Sequence, residues 1–178
     1  MPKTPEKHPA QFELVHAAPE HAPILANLLE LYAHDFSEFY SIEIGADGKF
    51  GYPSLTSYWS EPDRFPFLVK ARGKLAGLAL VKLSSAAAGE GKVWDVAEFF
   101  VLRAYRRQGL GTRLAHLLWR QFPGPWEVRV MQSNIAGAKF WRRAIRAFTG
   151  TRIRSSVVKK DGLNWHVFAF ESRHSKRR

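Results

Sequence analysis

The stretch Ala97-Glu-Phe-Phe-Val-Leu-Arg-Ala-Tyr-Arg-Arg-Gln-Gly-Leu-Gly-Thr112 decides how this chain is read. It opens as an apolar strand ending in Val101-Leu102, bends through Arg106-x-x-Gly109-x-Gly111, and continues as a helix with leucines at 110, 114, 117 and 118. Glycine at these two places lets the backbone approach a ligand with no Cβ in the way. The first-turn amides of a helix lack intrahelical acceptors, and the helix dipole adds positive potential there. A diphosphate suits that position, and Arg106, Arg107 and Arg113 bring full charges close by. Two other phosphate-binding patterns are excluded. The dinucleotide fingerprint would need glycine where Leu114 stands, and no Gly-x-x-x-x-Gly-Lys-Ser/Thr occurs.

Outward from this stretch, the hydrophobic pattern predicts a strand over 12–17 and a helix over 23–33, with Leu25, Leu28, Leu29 and Tyr32 on one face. A helical or irregular stretch follows over 35–40 and 55–60. Strands over 65–71 and 75–83 flank the hairpin signal Arg72-Gly73-Lys74, and 94–102 is the third long strand. Beyond the helix over 109–121, stopped by Phe122-Pro-Gly-Pro, come a strand over 126–131 and a helix over 134–148. A last hairpin, 153–160 and 163–171, turns at Asp161-Gly162. The order β α α β β β α β α β β predicts a mixed α/β (α+β) domain around one central sheet. Residues 1–10 read as a disordered lead, 11–171 as a single domain, 172–178 as a basic tail, and the small residues of Ser84–Gly91 as a mobile hairpin loop.

A chain of 178 residues, 46% hydrophobic and 24% charged, is an ordinary globular domain in composition, which excludes a collagen-like repeat, whole-chain disorder and a membrane span. Zero cysteines exclude a disulfide scaffold, a thiolate metal cluster and a thiol nucleophile. The opening MPKTPEKHPAQFE holds no apolar run of the kind a secretory signal needs, which points to the cytoplasm. The seven histidines form no metal-ligand spacing, so no metal is expected. Charge is unevenly spread: residues 1–100 carry 9 basic and 13 acidic side chains, net −4, and the remaining 78 carry 18 and 3, net +15. A basic back of this size attracts polyanions, whether nucleic acid, an anionic membrane or a phosphate-rich cofactor.

From Val93 to Phe148 the chain resembles the core of the GNAT superfamily, the coenzyme A-dependent N-acetyltransferases. The family signature is Arg/Gln-x-x-Gly-x-Gly/Ala after a strand, then Asn-x-x-x-x-x-Phe-Tyr opening the next helix; here the second element reads Asn134-Ile-Ala-Gly-Ala-Lys-Phe140-Trp141. The resemblance implies a single domain with a central mixed, mostly antiparallel sheet of about six to seven strands flanked by about four helices. It also implies acetyl-CoA as co-substrate, an amine acceptor, and a monomer or homodimer. In cofactor binding it places the backbone of Arg106, Arg107, Gln108, Gly109, Leu110, Gly111 and Thr112 on the diphosphate. It sets the main chain of Phe99, Phe100 and Val101 along the pantetheine arm, with Asn134 and Trp141 beside them. Glu98 matches the strand carboxylate that serves as general base, a role the reaction needs because the attacking amine must lose a proton; Asp95 is a second candidate. Where the family has a tyrosine to protonate the departing thiolate, this chain has Trp141, whose indole only donates hydrogen bonds.

The family walls its acceptor site with the first helices and their loop. Here that segment offers Tyr32, His34, Asp35 and Glu38, aromatic faces and carboxylates suited to a cationic primary amine. Two other readings stay open at this level. One is a nucleic-acid-binding module built on the basic back half, against which the strand between the last two helices counts. The other is a non-catalytic coenzyme A sensor, which the missing tyrosine would suit.

Overall fold

The computed structural model describes residues 12–173, so the lead expected over 1–10 and residues 174–178 of the expected tail lie outside the described residues. The elements follow the sequence pattern closely: β1 Phe12–His16, α1 Ala22–Phe36, α2 Ser57–Ser60, β2 Arg64–Ala71, β3 Lys74–Ser85, β4 Lys92–Val101, α3 Leu110–Gln121, β5 Gly124–Met131, α4 Ile135–Thr149, β6 Ser156–Lys160 and β7 Leu163–Ser172. Both expected hairpins form, and their central pairs Arg72-Gly73 and Asp161-Gly162 all sit at positive φ, matching the strand twist. Most boundaries shift by one or two residues, and three of the differences matter for packing. α1 runs a further turn to Phe36, taking in Asp35; β6 starts only at Ser156; and β7 reaches Ser172, whose buried hydroxyl donates to the Trp119 carbonyl.

The seven strands form one mixed sheet in the order β1-β2-β3-β4-β5-β7-β6. Every neighbouring pair is antiparallel except β4 and β5, which the α3 crossover makes parallel. Apolar cores cover both faces. Under α3 and α4 lie Leu114, Leu118, Trp119, Trp126 and Ile145; under α1 and α2 lie Leu25, Leu29, Tyr58, Leu80 and Phe100. Each fully buried leucine here contributes roughly 1.5–3 kcal/mol. Residues 76–81 of β3 are buried throughout, as a central strand covered on both sides requires. In the loop between β3 and β4 the buried Glu127 carboxylate accepts from the amides of Ala87 and Ala88 at 2.7 and 3.1 Å.

Two irregularities in β4 prepare the site. Its register against β3 shifts between Leu80 and Val81, which pair with Glu98 and Val96, so Ala97 is the extra residue of a bulge. Before the bulge, Trp94 and Val96 face the α3/α4 core; after it, Phe99 and Val101 do, and Phe100 turns to the α1 core. The bulge thus re-aims Glu98 toward α1. In addition, β4 and β5 pair only at Trp94↔Trp126 and Asp95↔Glu127, and from Val96 onward the two strands part. A buried ion pair between Asp95 and Arg129, with Lys82 Nζ 3.9 Å from the same carboxylate, stands at this fork. No helix among the described residues is long and apolar enough to cross a membrane.

Candidate active site

A cavity of about 1260 Å³ opens where β4 and β5 part, and its walls come from both faces of the sheet. On the α3/α4 side the wall includes the glycine bend that opens α3. Gly109 caps α3 at φ +79° with no side-chain cap, and Arg107 is also at positive φ, +65°. With Gln108 between them not at positive φ, the alternation of hand along 107–109 suits a concave nest of amides, extended by the uncapped first turn over Leu110, Gly111 and Thr112. Gly109 is required by its φ. Gly111 has a different reason: a Cβ there would lie 3.2 Å from the Phe140 ring, so its bareness lets α3 seat against α4.

The residues expected at the cofactor divide accordingly. Phe99, Phe100, Val101, Arg106, Arg107, Gly109, Gly111, Thr112, Asn134 and Trp141 all line the cavity. Gln108 and Leu110 do not: the Gln108 amide donates back to the Ala104 carbonyl at 2.9 Å, and the Leu110 side chain is buried in the core. The Asn134 Oδ1 accepts from Gly137 N at 2.7 Å and so caps α4. Trp141 is buried, with its ring 4.7 Å from Phe99 and 6.2 Å from Trp119, as a core residue would be. Arg106 is already engaged: Nε donates to the Val101 carbonyl at 2.7 Å and Nη2 to Asp35 at 2.5 Å.

On the α1 side the wall is made of side chains. Glu98 is half-buried and accepts from the Tyr52 hydroxyl at 3.0 Å, with the Tyr32 hydroxyl engaged on the same carboxylate. Burial pushes the Glu98 carboxyl above its ordinary range, the two phenols pull it partly back, and the Asp95 charge adds to the rise. Burial and the Glu98 charge in turn push up the phenols, Tyr58 to about 12 and Tyr32 and Tyr52 well beyond the ordinary range. They therefore stay protonated at neutral pH, and Tyr32 and Tyr52 act as donors to Glu98. The loop bearing Tyr52 is fastened by Glu30, whose carboxylate accepts from Phe50 N at 2.7 Å and Gly51 N at 2.9 Å.

Of the residues expected at the acceptor, Tyr32, Asp35 and Glu38 line the cavity, and His34 lies outside it. Asp35 is not free to meet an amine, because it bridges Arg103 at 2.6 Å and Arg106 at 2.5 Å; burial opposes its ionisation, and the two guanidiniums outweigh that and hold its carboxyl low. Asp95, the second base candidate, is buried against Arg129 away from the cavity lining. Sequence reasoning missed Tyr52, the Glu30 clamp and the basic lining residues Arg103, Arg129, Lys139 and Arg143. Only Tyr52 left a trace, as part of the aromatic run Phe50-Gly-Tyr52-Pro in an otherwise polar segment.

The model of the acetyltransferase (GNAT) family matches residues 25–145. Solved structures share the architecture. An acetyltransferase from Thermus thermophilus superposes with a TM-score of 0.67 over 92% of this chain and 99% of that one, at 16% identity. The aminoglycoside acetyltransferase AAC(6')-Ib in complex with coenzyme A gives 0.64 over 90% and 95% at 13% identity. A spermidine N-acetyltransferase from Vibrio cholerae, in complex with CoA and spermine, gives 0.60 over 91% and 96% at 11%. At these identities the likeness is one of fold. No curated protein sequence matches the chain.

Proposed function

Because the chain belongs to the GNAT family of acetyltransferases, we propose that it moves an acetyl group from acetyl-CoA to a primary amine by direct attack within a ternary complex. The amide nest at Arg107 and Gly109 and the uncapped first turn of α3 fit a diphosphate, with Arg107 and Lys139 as nearby charges on the cavity wall. Among the described residues, the edge of β4 that faces away from β3 has no strand partner from Val96 onward, and it suits an amide-bearing arm laid along it. Acetyl-CoA supplies the thioester.

The observation that carries this reading is Glu98, bulged into the cavity that the α3 N-terminus shares and ringed by phenols. Its carboxylate takes the proton of the attacking amine as the new N–C bond forms and the C–S bond breaks. Tyr32 and Tyr52 hold the carboxylate in place. Trp141 donates no proton, so the thiolate leaves to be protonated by solvent. A free-thiol assay with acetyl-CoA across a panel of amines tests the proposal, run beside Glu98→Gln. Thiol release that Glu98→Gln abolishes supports it. Full activity in that variant removes Glu98 from the mechanism, and tight coenzyme A binding with no release on any amine selects a sensor instead.

A further inference from the structure

Resting on the transferase reading above, we infer that the acceptor is a monoamine with an aromatic or branched apolar body, taken in preference to polyamines and aminoglycosides. The front half carries net −4, but several of its carboxylates are spent inside the fold. Glu30 holds the amides of Phe50 and Gly51, Asp35 holds two arginines, and Glu61 pairs with Arg64 at 2.6 Å. Four carboxylates line the cavity: Asp35, Glu38, Glu98 and Asp161. Asp35 is neutralised and Glu98 is occupied with the reacting nitrogen, which leaves Glu38 and Asp161, both exposed. The six basic lining residues are largely engaged as well: Arg103 and Arg106 on Asp35, Arg129 on Asp95, and Arg107 and Lys139 beside the proposed diphosphate site, with Arg143 as the sixth. A ligand with several ammonium groups would find only these two exposed carboxylates for its further charges, and pairs so open to water add little affinity.

The wall around Glu98 is instead aromatic and continuous. The ring of Tyr32 lies 4.5 Å from Phe36 and 5.8 Å from Phe100, and Phe36 lies 5.7 Å from Phe39. All four line the cavity, as do Phe50 and Tyr52. Such a wall gains by taking an apolar body out of water, and ring pairs favour a further aromatic partner. Arg106 already lies over the Phe100 ring at 5.5 Å, so that face offers no seat to a second cation. The arrangement therefore has one partly buried seat for an amine, at Glu98 beside Tyr32 and Tyr52, and an apolar wall for the remainder of the molecule.

Calorimetry on coenzyme A-saturated protein tests this without depending on turnover, with 2-phenylethylamine, spermidine and tobramycin as the titrated amines. 2-Phenylethylamine should bind about tenfold or more tightly than either polycation. Phe36→Ala and Phe39→Ala should each weaken it about fivefold, with Phe39→Leu recovering part of the loss. Binding of spermidine or tobramycin as tight as the aromatic amine overturns the inference, as does no heat with 2-phenylethylamine. The same amines are then run with acetyl-CoA. Aromatic-amine binding without thiol release would defeat the transferase reading and leave the ligand class standing; release on spermidine alone would do the reverse.

Discussion

At the α3 end of the cavity the wall takes Arg106, Arg107, Gly109, Gly111 and Thr112 from one short stretch of chain. At the α1 end it is made by side chains that three separate segments deliver, Tyr32 from α1, Tyr52 from the loop after it and Glu98 from β4. The first kind of site is specified by φ angles and a helix start, both local properties. The second exists only once a bulge, a loop clamp and a helix have been packed together. Substitutions at the α3 end should therefore act on the affinity for the acetyl donor, and substitutions at the α1 end on the chemical step.

The largest effect should come from Glu98→Gln. Removing a general base typically costs 10²–10⁴-fold, so kcat should fall by about 100-fold or more while the KM for acetyl-CoA stays nearly unchanged. In the native protein the acid limb of the kcat/KM profile should lie above the ordinary glutamate range, because burial raises this carboxyl. The sign for stability is the opposite of that for activity. The folded state binds the Glu98 proton more tightly than the unfolded chain does, so its contribution is favourable at low pH and is lost as pH rises through the raised pKa. Glu98→Gln should accordingly melt at or above the native protein at pH 8, an advantage that disappears near pH 4. A variant that is both active and less stable at pH 8 would break the assignment.

The two glycines of the bend separate backbone geometry from packing. Gly109 occupies a left-handed conformation that costs another residue roughly 1–2 kcal/mol. Gly109→Ala should tilt the amides of the nest and raise the KM for acetyl-CoA about tenfold, with kcat less affected. Gly111→Ala instead places a methyl 3.2 Å from Phe140, which should lower stability by about 1–3 kcal/mol, seen as a lower Tm, and leave the donor KM within about twofold. Equal KM effects at both positions would mean that the bend works by bareness alone, as the bare motif suggests.

That distinction shows where the sequence stopped being readable. The motif gave both glycines one role, because spacing reports that a Cβ is missing and not what would have met it. The strand and helix order was legible because apolar periodicity and two turn dipeptides act over a few residues. The Ala97 bulge was not: alanine is ordinary in a strand, and only pairing with β3 makes it the extra residue. Without the bulge, Glu98 would share a face with Trp94 and Val96, so its family role was legible and its physical setting was not. The ion pairs of Asp35 were illegible for a similar reason, since its partners Arg103 and Arg106 lie 68 and 71 residues away. No local pattern reports such a pairing.

Glu30→Ala sharpens the comparison from the α1 side without touching the reacting atoms. Freed from two hydrogen bonds, the 50–53 loop should let Tyr52 leave Glu98 for part of the time. We expect kcat to fall about fivefold and the donor KM to hold. The acid limb should also move to higher pH, because a lost phenol hydrogen bond lets the Glu98 carboxyl rise further. Glu30→Gln keeps one acceptor oxygen and should fall between the two. A kcat loss with no movement of the limb would assign Glu30 to folding alone.

The smallest effect tests a place where the two ends touch. Asp35, on α1, clasps Arg103 and Arg106 at the approach to the glycine bend, and Arg103 is 74% exposed. An ion pair with so exposed a partner adds little to stability. Its stability is present at neutral pH and lost only on strong acidification, since the folded carboxyl is held low. Asp35→Asn should thus barely change Tm. It should, however, unmask two guanidiniums beside the amide nest, and the KM for acetyl-CoA should drop about twofold at low ionic strength, a gain that about 0.5 M salt erases. A rise in KM would mean that the clasp holds the bend in shape, and that the α1 end governs donor binding after all.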